Sequence, residues 1–220
     1  TVTAQFLYSD TNNPDRPDLS PAWNGESLRS HAFTASWGHQ KRTHDWYAAA
    51  WDVGDAFRAD LGFIPQVGYR ELYVEGGLRY YAENSWLRFW RPSLTAGRQT
   101  NLDGDTIFQQ VSAGVSGFGI KNLNVFVSVR PDEKILVGNR LLSQTYGTLY
   151  GQFDPGRRLP RISFDSRFGE SIDFGGGRVG DGVRHDGAGF GAAADFDALA
   201  GQHGGDGRQL GGGYRAGDEQ

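Results

Sequence analysis

Cysteine and methionine are both absent from the 220 residues. Without thiols there is neither a disulfide framework nor a thiolate metal site. Long apolar runs are missing as well. The longest is about five residues, Tyr47–Trp51, against the roughly 20 that a membrane-crossing helix needs. Charge is nearly balanced, at a formal -4, so no basic surface argues for nucleic acid. Aromatic residues are plentiful, at 13%, and the pattern in which they occur says more than their number.

Apolar and polar residues alternate over most of the first 170 positions. Period-two alternation makes strands with two differently wetted faces. Val2–Tyr8 sets Val2, Ala4, Phe6 and Tyr8 against Thr1, Thr3 and Gln5. Leu28–Gly38 displays Phe33, Ala35 and Trp37 together, and Asp45–Val53 returns after the short basic turn His39–Thr43. Val67–Ala82 puts Leu72, Val74, Leu78 and Tyr80 on one face and Tyr69, Glu71, Tyr73, Glu75 and Arg79 on the other. Trp86–Gln99, Thr106–Phe118, Leu123–Arg130, Leu142–Phe153 and Arg161–Phe168 complete about nine predicted strands, joined mainly as antiparallel neighbours. Pro131-Asp132-Glu133 is expected to end the seventh.

One face rich in Trp, Tyr and aliphatics, and one carrying Arg, Ser, Thr, Gln and Glu, match a barrel wall with lipid outside and water inside. Lumen residues dilute the lipid-facing ones, so such strands escape a hydropathy scan. The long loop Ser9–Ser27 beside the short turn His39–Thr43 fits the outer-loop and periplasmic-turn asymmetry of these barrels. The expected fold class is all-β: an antiparallel up-and-down transmembrane β-barrel. The alternative is a soluble secreted all-β protein, carbohydrate-binding or glycan-acting, that buries its apolar face in a sandwich and stacks sugars on Trp and Tyr.

The segment Asp52–Tyr69 adds a motif. Gly54 through Pro65, GDAFRADLGFIP, follows the pattern F-R-x-D-x-G-F-(V/I)-P, with Phe57, Arg58, Asp60, Gly62, Phe63 and Pro65 in its defined positions. Leu87–Pro92 and Ser171–Asp181 are similar to further segments of the same family. The chain thus resembles, over residues 1–182, bacterial outer-membrane barrels of unassigned function. In that family a periplasmic domain like a family-nine carbohydrate-binding module precedes the barrel. The resemblance implies a bacterial outer-membrane location, with lipid and the barrel-assembly machinery as partners. It implies a barrel that anchors the periplasmic domain and passes small solutes, with no cofactor. Carbohydrate is implied only through an upstream domain that these residues do not include. On this reading the chain is a fragment whose closing strands are missing after Gly182. Residues 183–220, rich in Gly, Ala and Asp without alternation, read as a disordered tail with the composition of an out-of-frame translation.

No constellation carries chemistry, so no enzyme is expected. Phe57–Pro65 reads either as a ligand loop or as a structural tie. In the second case Arg58 and Asp60 fasten a loop to the rim, Gly62 supplies a special backbone angle and Phe63 packs. Glu71, Glu75 and Arg79 either line a selective channel or form an ordinary wetted ladder. Trp46, Trp51, Trp86 and Trp90 lie near predicted strand ends and read as interfacial anchors. His31, His39 and His44 match no standard metal spacing. Asp103 and Asp105 flank Gly104 like part of a calcium loop but lack its twelfth-position Glu, so a hairpin turn is expected. Asp165, Glu170 and Asp173 have no aromatic sugar platform predicted beside them. Gly175–Gly182 lacks the Gly-Lys-Ser/Thr ending of a phosphate loop.

Overall fold

Strands this long must pair, because every backbone N–H and C=O needs a partner. The computed structural model describes residues 1–20, 24–58, 66–156, 161–174, 178–184 and 188–189. Among them all strands join one antiparallel sheet. In chain order they are β1 (Val2–Asn12), β2 (Ser27–Gln40), β3 (His44–Val53), β4 (Tyr69–Leu78), β5 (Tyr80–Tyr81) and β6 (Leu87–Asn101). Then follow β7 (Thr106–Gly119), β8 (Asn124–Val137), β9 (Arg140–Phe153), β10 (Ile162–Asp173), β11 (Arg178–Arg184) and β12 (Ala188–Gly189). The spatial order is β1-β2-β3-β4-β6-β7-β8-β9-β10-β11, with β5 on β6 and β12 on β10. The connectivity is therefore up-and-down. β1 and β11 end the path without pairing with each other, so the described sheet is open.

The predicted strands are present, with two differences. Val67–Ala82 divides at Arg79, whose N–H donates to the Thr43 carbonyl at 2.8 Å rather than to β6. And Pro131 does not end its strand: β8 runs through it to Val137. The register shifts between Arg130 and Glu133, so the proline falls in a bulge, where no ladder donor is needed. Asp132 adopts φ 52°. Its N–H donates to Thr145 Oγ1 at 3.2 Å, and its carboxylate accepts from Ser143 and pairs with Lys134 at 3.2 Å. The bulge reverses parity: Ser128 and Arg130 share a face with odd-numbered Glu133.

The expected loop asymmetry holds only for the first strands. The long connections 13–26 and 54–68 share one end of the sheet, but so do the tight turns at Gly104 and Gly138. β11 passes Gly182, the expected barrel limit, and β12 adds a two-residue bridge to β10. Residues 190–220, expected to be a disordered tail, lie outside the described residues.

Contacts between elements follow the ladder, and no second layer packs on the sheet among the described residues. Nevertheless one face is buried. It carries Ala49, Val53, Gln99, Gln110, Ser128, Glu133, Gln144, Tyr146 and Gln152. The other face exposes Leu72, Leu94, Val111, Val115, Phe164 and Phe168. Val127 and Val129, which a two-sheet sandwich would bury, are 46% and 48% exposed. A lone sheet buries one face only by curling until the side chains on that side converge. The inner face is thus polar and the outer face apolar.

Candidate functional site

The inner face gathers its charges into two networks. The first spans β3, β4 and β6. Asp45, Gly77 and Ser93 are successive ladder partners. Because Gly77 has no side chain, the Arg91 guanidinium lies across β4 and reaches two strands over. Its Nε donates to both Asp45 oxygens at 3.0 Å, and its Nη2 meets Asp45 Oδ1 and, at 2.8 Å, Glu75 Oε1. Arg79 Nε donates to Asp45 Oδ2 at 2.6 Å, and the Tyr73 hydroxyl to Glu75 Oε2 at 2.8 Å. Two carboxylates and two guanidiniums cancel. Desolvation offsets much of such a pairing, so its geometry matters more than its strength: it joins three strands in one register.

The second network depends on the β8 bulge, which turns Glu133 inward. Glu133 is 3% exposed. It accepts from Gln144 Nε2 at 2.5 Å, from the Tyr146 hydroxyl at 3.3 Å and from Arg130 Nη1 at 3.5 Å. Arg130 Nη1 also donates to the Tyr146 hydroxyl at 2.7 Å. Arg130 and Arg167 flank the Tyr146 ring, with Cζ 5.6 and 3.5 Å from its centroid. Ser128 and Thr148, whose hydroxyls are 2.7 Å apart, continue the face toward the opposite end.

The predicted inner-face residues fall into place unevenly. Glu71 and Glu75 stand on the inner face, paired with Gln99 and Thr95. Arg79, in the break after β4, reaches the first network through Asp45. The sequence reading singled out neither Asp45 nor Arg91, nor Glu133, Tyr146 and Arg167. Their alternation was readable, but their partners lie one or two strands away and depend on register.

No family model, curated protein or solved structure matches this chain.

Of the motif, Phe57 is buried and Arg58 ties the β3–β4 connection to β1. Arg58 N–H donates to Ser9 Oγ at 3.2 Å and its Nη1 to Asn13 Oδ1 at 2.7 Å. Nearby, Gly54 N–H donates to the His31 carbonyl at 2.9 Å. Asp60, Gly62, Phe63 and Pro65 lie outside the described residues, as do 175–177 of the glycine-rich segment.

The four tryptophans do not share a face. Trp46 is outward, stacked on His39 at 4.1 Å and edge-on to Trp37 at 5.6 Å; His44 lies 5.8 Å away. Trp90 is outward and stacked on Tyr80 at 4.2 Å, with exposed Trp86 just before β6. Trp51, paired with Glu71 and Thr34, stands on the inner face. At the opposite end the outer face turns polar. Arg29 pairs with Asp10 at 3.2 Å, and His31 and Arg70 with Asp52 at 3.6 and 3.3 Å. From His31 to His39 on β2, and from Trp90 to Arg98 on β6, the outer band is eight residues long. That is ~27 Å of strand, or ~20 Å of height at a ~40° tilt, with a border side chain at each edge, against ~25 Å for a barrel's apolar band.

Asp103 and Asp105 lie in the β6–β7 hairpin turn, where Asp105 N–H donates to Asn101 Oδ1 at 2.7 Å and Gly104 adopts φ 97°. On β10, Asp165 is exposed, and Glu170 accepts the Thr145 N–H at 2.6 Å. Among the described residues no three His, Cys, Asp or Glu side chains are grouped to hold a metal.

Proposed function

We propose that this chain is part of the wall of an outer-membrane β-barrel that anchors a periplasmic domain and passes small solutes along its inner face. One observation carries the reading: burial is reversed. Gln110, Glu133 and Gln144 are at most 4% exposed, whereas Leu94 is 66% exposed. Water would penalise such an outer face, while hydrocarbon suits it, and antiparallel ladders supply the internal backbone pairing that a bilayer demands. The motif resemblance supports the bacterial outer membrane as the location and the assembly machinery as a partner. It assigns carbohydrate to an upstream domain only. The reading requires β1 and β11 to be closed against further strands, since bare edges are costly in lipid. A soluble sugar-binding sandwich would need Val127 and Val129 inside.

Single-tryptophan variants test this. The full chain is reconstituted into vesicles whose acyl chains carry bromine. Fluorescence from Trp46 and Trp90 is expected to be quenched by the bromolipid and spared by aqueous acrylamide; Trp51 is expected to do the reverse. A chain that stays in the aqueous fraction, or a Trp51 quenched by bromolipid as strongly as Trp90, sinks the reading.

A further inference from the structure

Arg167 is an inner-face cation that the networks leave over. Its ladder partner is Thr148, which places it beside Tyr146 on the polar face. Its guanidinium carbon lies 3.5 Å from the Tyr146 ring centroid. Its Nε is buried and has no hydrogen-bond partner among the described residues, and no carboxylate of those residues forms an ion pair with it. Arg130, on the other side of the same ring, is engaged by Glu133 and the Tyr146 hydroxyl. Arg130, Glu133 and Arg167 together carry a formal +1. The Asp45 network differs: it is neutral, and its guanidiniums are filled by Asp45 and Glu75.

A buried N–H donor without an acceptor is costly. A guanidinium whose plane is held by a ring presents its N–H edge as a fork, and the group that fits this fork is a planar or tetrahedral oxyanion. We infer that Arg167, with Arg130 beside it across Tyr146, forms an oxyanion-binding station on the inner face. Its solutes are small molecules bearing a carboxylate or a phosphate. This inference rests on the solute-passing role proposed above and names the solute class.

The test is the reversal potential of the closed barrel, this chain together with the further strands that the proposed function requires, in a planar bilayer under a potassium chloride gradient. A unit charge ~6 Å from the ion path in water changes local ion concentration about threefold. Arg167→Gln is expected to shift the chloride-to-potassium permeability ratio of the wild type toward potassium by about threefold or more. Arg167→Lys keeps the charge and therefore the ratio, but loses the fork. Inorganic phosphate and acetate, added separately, are expected to lower the chloride current of the wild type and of neither variant. Whichever acts at lower concentration identifies the class. A conducting channel whose ratio ignores Arg167→Gln, or whose current neither anion lowers, overturns the station and leaves the barrel standing. Complete absence of conductance overturns the solute-passing role itself, and the station with it.

Discussion

Replacing Gly77 with alanine tests whether the first network aligns β3, β4 and β6. The new Cβ would stand 2.5 Å from Arg91 Nε and 2.6 Å from its Cζ. Ordinary contact begins near 3.4 Å, so the guanidinium must retreat by about 0.9 Å. Its Nε lies 3.0 Å from both Asp45 oxygens and its Nη2 2.8 Å from Glu75, and a retreat of that size takes these contacts beyond hydrogen-bond range, leaving only the shorter Nη2–Asp45 Oδ1 contact. Charge-assisted hydrogen bonds contribute about 1.5–3 kcal/mol each. Arg79 still holds Asp45 at 2.6 Å, so Asp45 keeps one cation. The expected loss is about 2 kcal/mol. Alanine also relieves the entropy of a strand glycine by about 0.5–1 kcal/mol. The net cost of Gly77→Ala is therefore about 1–1.5 kcal/mol. In an Arg91→Ala background the obstructing guanidinium is gone, and the same change should stabilise by about 0.5–1 kcal/mol. The double-mutant cycle thus returns a coupling of about 2 kcal/mol. Urea unfolding of the full chain in detergent micelles, followed by tryptophan fluorescence, measures all four corners. A coupling under about 0.5 kcal/mol, within the usual error of additivity, refutes the claim that Gly77 exists to let Arg91 cross.

Two other substitutions probe the outer face and the bulge separately. Leu94→Arg places a charge in the middle of the outer band and should cost about 2–4 kcal/mol in vesicles; at a water-exposed site it would change stability by less than about 0.5 kcal/mol in the same unfolding measurement. Asp132→Ala removes the acceptor for Ser143 and Lys134 and forces alanine into φ 52°, so it is expected to destabilise the β8 bulge. Asp132→Gly tolerates the angle and is expected to lose less stability than Asp132→Ala in the same measurement; equal stabilities for the two variants would show that the backbone angle is not strained.

Strand positions were legible because the outer face is aliphatic or aromatic and the inner face is not. Val125, Val127 and Val129 against Asn124, Ser128 and Arg130 needed no structure to be read as one strand. The continuation past Pro131 was hidden, because proline there looks like a terminator unless the bulge that tolerates it is known. Losing the bulge also lost Glu133, which changes face with it. Trp51 shows a different failure. It lies near a strand end, as Trp46 does, but five residues apart in one strand means opposite faces. Parity alone would have separated them. The ion networks were out of reach for a third reason. Asp45 and Arg91 are 46 residues apart, and their meeting depends on two successive ladder registers and on a glycine between them.

The reversal of burial bears on what stabilises the fold. No side chain among the described residues is less than 2% exposed, so the sheet has no apolar centre from which to draw stability. In water its ladder hydrogen bonds would contribute only about 1 kcal/mol each, because the unfolded backbone bonds to solvent equally well. In hydrocarbon the same bonds have no competitor, and each is worth several times more. On the proposed membrane reading, burying Leu94, Val127 and Val129 in acyl chains would add the transfer energy that a core would otherwise supply. The inner face then needs no apolar packing. Its task is to fix register, because a ladder of near-equivalent hydrogen bonds resists slippage poorly. Fixed charges do this well. Asp45 meets Arg91 only when Gly77 lies between them, and Glu133 meets Tyr146 only when the bulge stands at Asp132. A slip of one residue on either side would leave a carboxylate on the inner face without its cation, at a cost of about 3–5 kcal/mol for a buried pair, less where lumen water reaches it.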